Sequence, residues 1–134
     1  MAEYQGYNSK KGLFFLKDKK AMIFRAKSTQ DSLGIWKSKY YPIARSDLWC
    51  YTRQLSEQQI FNAAQYYQNE TRMFVFNYRE GVTATGTYVR YAGTWYEITR
   101  LDYPDDYKGG EMFVYVKEYT GIIKDSDVMP YSAN

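Results

Sequence analysis

Apolar and polar residues alternate along this chain in short runs, cut by glycine, proline and charge before a helical period can build up. Period-two alternation in short runs predicts half-buried β-strands. The fullest case is 71–101, TRMFVFNYREGVTATGTYVRYAGTWYEITRL. Within it, 71–79 predicts a strand with Phe74, Phe76 and Tyr78 on one face. Residues 87–91 and 94–101 predict a tight hairpin about Ala92 and Gly93, where glycine takes positive φ at little cost. Gly93, Trp95 and Ile98 mark this hairpin. Residues 111–119, EMFVYVKEY, predict the last strand, with Met112, Val114 and Val116 facing one way and Phe113 and Tyr115 the other. Two apolar faces imply cover on both sides, by a helix or by another subunit.

Upstream, 20–27 (KAMIFRAK) predicts the first strand and 47–55 (DLWCYTRQL) the second. Residues 28–47 between them sustain no period. A long irregular segment in a compact domain is commonly functional, and the aromatics Trp36, Tyr40 and Tyr41 suggest that it contacts something. Ser56 with Gln59 reads as a capping box, and Ile60, Ala63, Ala64 and Tyr67 follow at helical spacing, so one short helix is expected there. The organisation reads as a flexible arm over 1–19, a domain over 20–119 and a tail over 120–134. The tail is expected to extend away, with Ile122, Ile123, Val128 and Met129 as possible anchors. The expected fold is mainly β: a small antiparallel β-barrel or sandwich with one short helix and a long loop between the first two strands.

Composition narrows the function classes. A length of 134 residues suits one domain. The net charge of +3 is mildly basic, and a dedicated phosphate binder usually carries a denser patch. Sixteen tyrosines, seven phenylalanines and three tryptophans exceed what one small core houses, so tyrosines are expected at surfaces suited to protein contacts. Cys50 is the single cysteine; its neighbours Leu48, Trp49 and Tyr51 suggest a packed strand thiol. The polar start lacks the apolar region of a signal peptide, and no apolar run reaches membrane-span length. A soluble protein made in the cell cytoplasm, with no membrane partner, is expected.

The chain has no histidine, the commonest general base and metal ligand. Asp105 with Asp106, and Asp125 with Asp127, read as solvated turns. Gly81 and Gly86 lack the lysine and the strand-to-helix context of a phosphate loop. The expectation is no enzyme, no cofactor and no metal. Arg72, Arg79, Arg90 and Arg100 interleave with aromatics, which leaves a small single-stranded nucleic-acid-binding barrel as an alternative. Glu70, Glu80, Glu97, Asp102 and Glu111 offset much of that charge, and structural arginines are the competing reading.

The order of parts over 20–119 resembles the head-closure proteins of long-tailed phages, also called head–tail joining, adaptor-like or stopper proteins. The matching pieces are FRAK, DSLGIW, LWCYTRQLS, NETRMFVFNYREGV, GTYVRYAGTWYEITRLDYPDD and EMFVYVKEY. A y-x-G-x-x-Y-x-I hairpin of that family reads here as Tyr91, Gly93, Tyr96 and Ile98. The resemblance implies a β-barrel-like structural protein of the virion, assembled as a hexameric ring at the head–tail interface. The ring continues and closes the DNA channel below the portal and its adaptor, and docks the tail. Its implied partners are other copies of itself, portal and adaptor proteins, a tail-completion or tail-tube protein, and genomic double-stranded DNA bound without sequence specificity. By position, the channel- or partner-facing loop maps to Gln30, Asp31, Leu33, Gly34, Ile35, Trp36, Lys37, Lys39, Tyr40 and Tyr41. Tyr88, Tyr91, Tyr96 and Tyr115 are the expected inter-subunit contacts. Another connector component, such as a tail-completion protein, is the nearest alternative.

Overall fold

Seven β-strands succeed one another in a computed structural model that describes residues 16–55, 70–103 and 110–132. They are β1 (Lys19–Gln30), β2 (Trp36–Pro42), β3 (Leu48–Gln54), β4 (Arg72–Asn77), β5 (Thr87–Tyr91), β6 (Thr94–Asp102) and β7 (Glu111–Glu118). Every pairing between them is antiparallel. The hydrogen-bonded order is β2-β1-β3-β4-β7-β6-β5, and β5 pairs back onto β1. Six strands therefore close a barrel, the arrangement that removes exposed sheet edges. Of these strands β2 alone stands outside it, paired to β1.

The alternation read from the sequence sorts side chains between the barrel interior and its outer surface. Ile23, Cys50, Phe74, Phe76, Val89, Ile98, Met112, Val114 and Val116 fill the interior. On the outer side of β3, β4 and β7, Leu55, Met73 and Val75 form a second buried cluster against Tyr51, Phe113 and Tyr115. The two apolar faces expected of the last strand are thus both packed. Cys50 is fully buried, and burial pushes its thiol up to about 12. Ala92 and Gly93 both take positive φ, 51° and 81°, as a two-residue hairpin turn matching strand twist requires.

Glu70 is completely buried, yet none of its charge is stranded. Arg100 meets it at 3.1 Å from Nη2 and 3.3 Å from Nε, and the Thr99 hydroxyl donates to it at 2.7 Å. The Arg100 guanidinium also lies 3.7 Å from the centre of the Tyr115 ring.

Two expectations need correction. The segment 28–47 is not irregular: β1 runs on to Gln30 and β2 occupies Trp36–Pro42, so the excursion between the first two barrel strands is a β-hairpin. Period-two alternation was hidden because both faces of the hairpin are polar over most of its length. The tail does not extend away either. After a 3₁₀ turn at Asp125–Asp127, Val128 forms a parallel bridge with Tyr40, and the Met129 N–H donates to the Tyr40 carbonyl at 2.8 Å. The expected helix over 56–67 and most of the N-terminal arm lie outside the described residues.

Candidate functional site

β1 is the longest strand, and it changes partners along its length. Its first residues pair with β3 and its middle with β5, while residues from Phe24 to Gln30 pair with β2. The last tie from β1 to the barrel is the Ala26 N–H to the Gly86 carbonyl, 2.9 Å. Beyond it the β1–β2 ribbon projects clear of the barrel strands for about 16 Å, at the ordinary rise per strand residue.

The tip is built by Asp31 and Gly34. The Gly34 N–H donates to the Asp31 carbonyl at 3.0 Å, and the Asp31 carboxylate accepts from the N–H groups of Leu33 and Ile35 at 2.8 and 2.9 Å. Gly34 takes a φ of 83°, the left-handed position that closes a three-residue hairpin loop. The Ile35 hydrogen bond, joined by that of Leu33 and by Lys37, holds Asp31 below the usual carboxylate range against some desolvation. This ordered turn presents apolar side chains to solvent: Leu33 is 82 % exposed, Ile35 53 % and Trp36 66 %. Such a cluster at the end of a projecting ribbon has the makings of a contact surface.

Cross-strand register divides the ribbon into two faces. Gln30 with Trp36, Ser28 with Ser38 and Ala26 with Tyr40 share one face; Thr29 with Lys37, Lys27 with Lys39 and Arg25 with Tyr41 share the other. The second face is basic. Lys37 has Asp31 at 4.0 Å and Lys39 has Asp127 at 3.2 Å, while Lys27 lies over the Tyr41 ring at 5.4 Å. Arg25 donates to the Gly81 carbonyl at 2.6 Å.

Aromatic rings bolt the root of the ribbon to the barrel. Phe24 packs on Trp95 at 4.8 Å, and Tyr40 reaches both Trp95 at 5.6 Å and Tyr88 at 5.3 Å. Tyr88 in turn meets Tyr119 edge-on at 5.2 Å. Tyr40 is buried, so it belongs to the anchor and not, as expected, to the exposed partner-facing surface. Burial, aided by Tyr119, Tyr88 and Asp127, pushes its phenol up to about 12.

The remaining expected residues do not converge. Tyr91 and Tyr96 pack edge-on against Phe74, Tyr88 belongs to the anchor, and Tyr115 lies on the outer face beneath Arg100. All four are half-buried among neighbours in their own chain. Gly93 is the second residue of the hairpin turn, Trp95 follows it on β6, and Ile98 is a core residue. The interleaved arginines are largely engaged too: Arg72 donates to Thr52 at 2.9 Å, Arg90 lies over Phe24 at 4.9 Å, and Arg100 holds Glu70. Among the described residues no group of carboxylates and thiols could hold a metal ion, and no helix is long and apolar enough to cross a membrane.

A family model described as phage head completion protein matches residues 18–118. The chain belongs to this family. It is accordingly a structural protein of the phage head. Its fold is shared with the solution structure of a protein from Shigella flexneri 2a, at a TM-score of 0.60 and 18% identity over 76% of this chain and 92% of that one. A chain of the virion of a native gene transfer agent particle aligns over 78% of this chain and 96% of its own, with a TM-score of 0.48 and 8% identity. No curated protein matches the sequence. The matched span begins just before β1 and ends with β7, so the tail docked on β2 lies beyond it.

Proposed function

We propose that this head completion protein assembles as a closed ring at the head–tail interface, continues the DNA channel below the portal and closes it after packaging. The observation that carries the reading is the β1–β2 ribbon: an ordered, basic-faced hairpin with an apolar tip, held out from a rigid barrel. In a ring, each barrel forms a frame and each ribbon reaches toward the axis or toward the next component. Leu33, Ile35 and Trp36 meet neighbouring ribbons or the tail-side partner. Lys27 and Lys37 face phosphates without reading bases, as a conduit for any sequence demands. A ring of identical subunits needs two different complementary surfaces on each copy, and the half-buried tyrosines spread around the barrel suit that use.

Portal and adaptor proteins are the proposed partners above, and a tail-completion or tail-tube protein below. The proposed site of action is the virion, after synthesis in the host cytoplasm. Light scattering tests the assembly. The protein is expected as a ring-sized species, alone or once the purified portal complex is added. A monomer under both conditions contradicts the proposal.

A further inference from the structure

The basic face of the ribbon carries a conflict that the tail resolves. Lys27 and Lys39 are direct cross-strand partners, and like charges placed opposite one another destabilise a sheet. The conflict is met from outside the hairpin: Asp127 Oδ1 lies 3.2 Å from Lys39 Nζ, both side chains being about three-quarters buried, at 29% and 24% exposure. The tail then runs on along the same face. Tyr131 lies under the Arg45 guanidinium at 5.3 Å. With Ser132 it walls a cleft of about 210 Å³ whose other sides include Arg25, Lys27, Tyr41 and Glu80.

From this placement we infer that the C-terminal tail is an anionic cover for the ribbon, lying where phosphates of double-stranded DNA bind and displaced by them. The inference rests on the ribbon being the DNA-facing element. The Asp127 carboxylate stands in for a phosphate oxygen against Lys39, and Tyr131 with Ser132 roofs the cleft beside Arg25 and Lys27. The hold is slight enough to release. Among the described residues, the tail's main-chain ties to β2 are one parallel bridge and one hydrogen bond, beside the side-chain contacts of Asp127 and Tyr131. A single partly exposed ion pair is weak and screened by salt, whereas a duplex presents a dense line of charge. The cover keeps the basic face neutralised before DNA arrives and frees Lys39 when it does. Glu80 is a second carboxylate in the cleft and stays with the barrel, so release of the tail changes the face by the charges of Asp125 and Asp127, offset in part by that of Lys124.

The test is binding of a short fluorescent duplex of mixed sequence, followed by anisotropy across a salt series, for the full chain and for Asp127→Asn. Asp127→Asn is expected to bind about three- to fivefold more tightly, the worth of one such ion pair. Its log–log salt slope is expected to match that of wild type, because displacement of the tail lets Lys39 reach a phosphate in both complexes. In a Lys39→Gln background the same substitution is expected to have no effect. Asp102→Asn on β6 removes an equal charge outside the hairpin and tail, and circular dichroism checks that each variant is folded. An Asp127→Asn affinity equal to that of Asp102→Asn, or weaker than wild type, overturns the cover and leaves the DNA-facing ribbon standing. No salt-dependent binding by either wild type or Asp127→Asn overturns both.

Discussion

Val128 lies beside Tyr40 in a parallel bridge, which ties the end of the chain to the root of the projecting hairpin. The contact joins two parts that sequence reading kept separate. Tyr40 is also the ring through which the hairpin meets Tyr88 and Trp95. One residue therefore fastens the ribbon to the barrel through its side chain and to the tail through its backbone.

The chain makes a close approach at Gly121, where it turns into the tail. A Cβ there would meet the Tyr119 ring, with Oη at 2.5 Å and Cζ at 2.6 Å. That ring is held in turn by Tyr88. Gly121→Ala is expected to displace Tyr119 and to destabilise the fold by about 1–3 kcal/mol, the usual cost of overpacking. Chemical denaturation measures it, and an unchanged midpoint contradicts the packing.

Arg100 and Glu70 predict the largest single loss. Removal of one partner from a buried pair leaves an uncompensated charge, and Glu70 has no solvent exposure to relieve it. Arg100→Ala is expected to cost about 3–5 kcal/mol. Arg100→Lys keeps the charge but loses the two-point contact, so its loss should be intermediate. Equal losses for the two variants in urea denaturation would show that geometry, not charge, dominates.

Tyr40 predicts an alkaline dependence. Its phenol is pushed up to about 12 in the fold, against about 10 in an unfolded chain. The folded state thus keeps a proton that the unfolded state has lost, and stability falls as pH rises from about 10 through about 12. Cys50, Tyr88 and Tyr103 shift in the same direction through burial. Tyr40→Phe should flatten part of the decline in unfolding free energy over that window, leaving the share of the other three. A slope identical to wild type contradicts the burial of this hydroxyl.

Much of the barrel was legible because its strands obey one simple rule. β4 and β7 bury alternate residues in two clusters, and that leaves a clean period of two. The Ala92–Gly93 turn was equally readable, since glycine at that spacing between alternating runs has few other uses. The β1–β2 ribbon was not, for a physical reason: outside its root neither face is buried, so no apolar alternation records the strand. Its signal lay instead in the turn, where Asp31 and Gly34 stand at the first and last positions of a four-residue reversal. Tyr40 looked exposed because its burial comes from residues distant in sequence, Tyr88, Trp95 and Tyr119. The tail's docking includes a bridge and an ion pair between segments almost ninety residues apart. Local patterning cannot encode such a contact, although Val128 and Met129 were readable as anchors.

The central claim is that the ribbon closes the channel while the barrel only holds it in place. DNA-filled heads that carry the portal but lack this protein provide the direct measurement: nuclease sensitivity of the packaged DNA after the protein is added back. A shortened variant, with residues 30–36 replaced by Asn-Gly, joins the hydrogen-bonded Thr29–Lys37 pair through a two-residue turn and leaves the root intact. Wild-type protein is predicted to bind the heads and protect their DNA, and the shortened variant to bind and leave it sensitive. Equal protection by the two proteins would contradict the account.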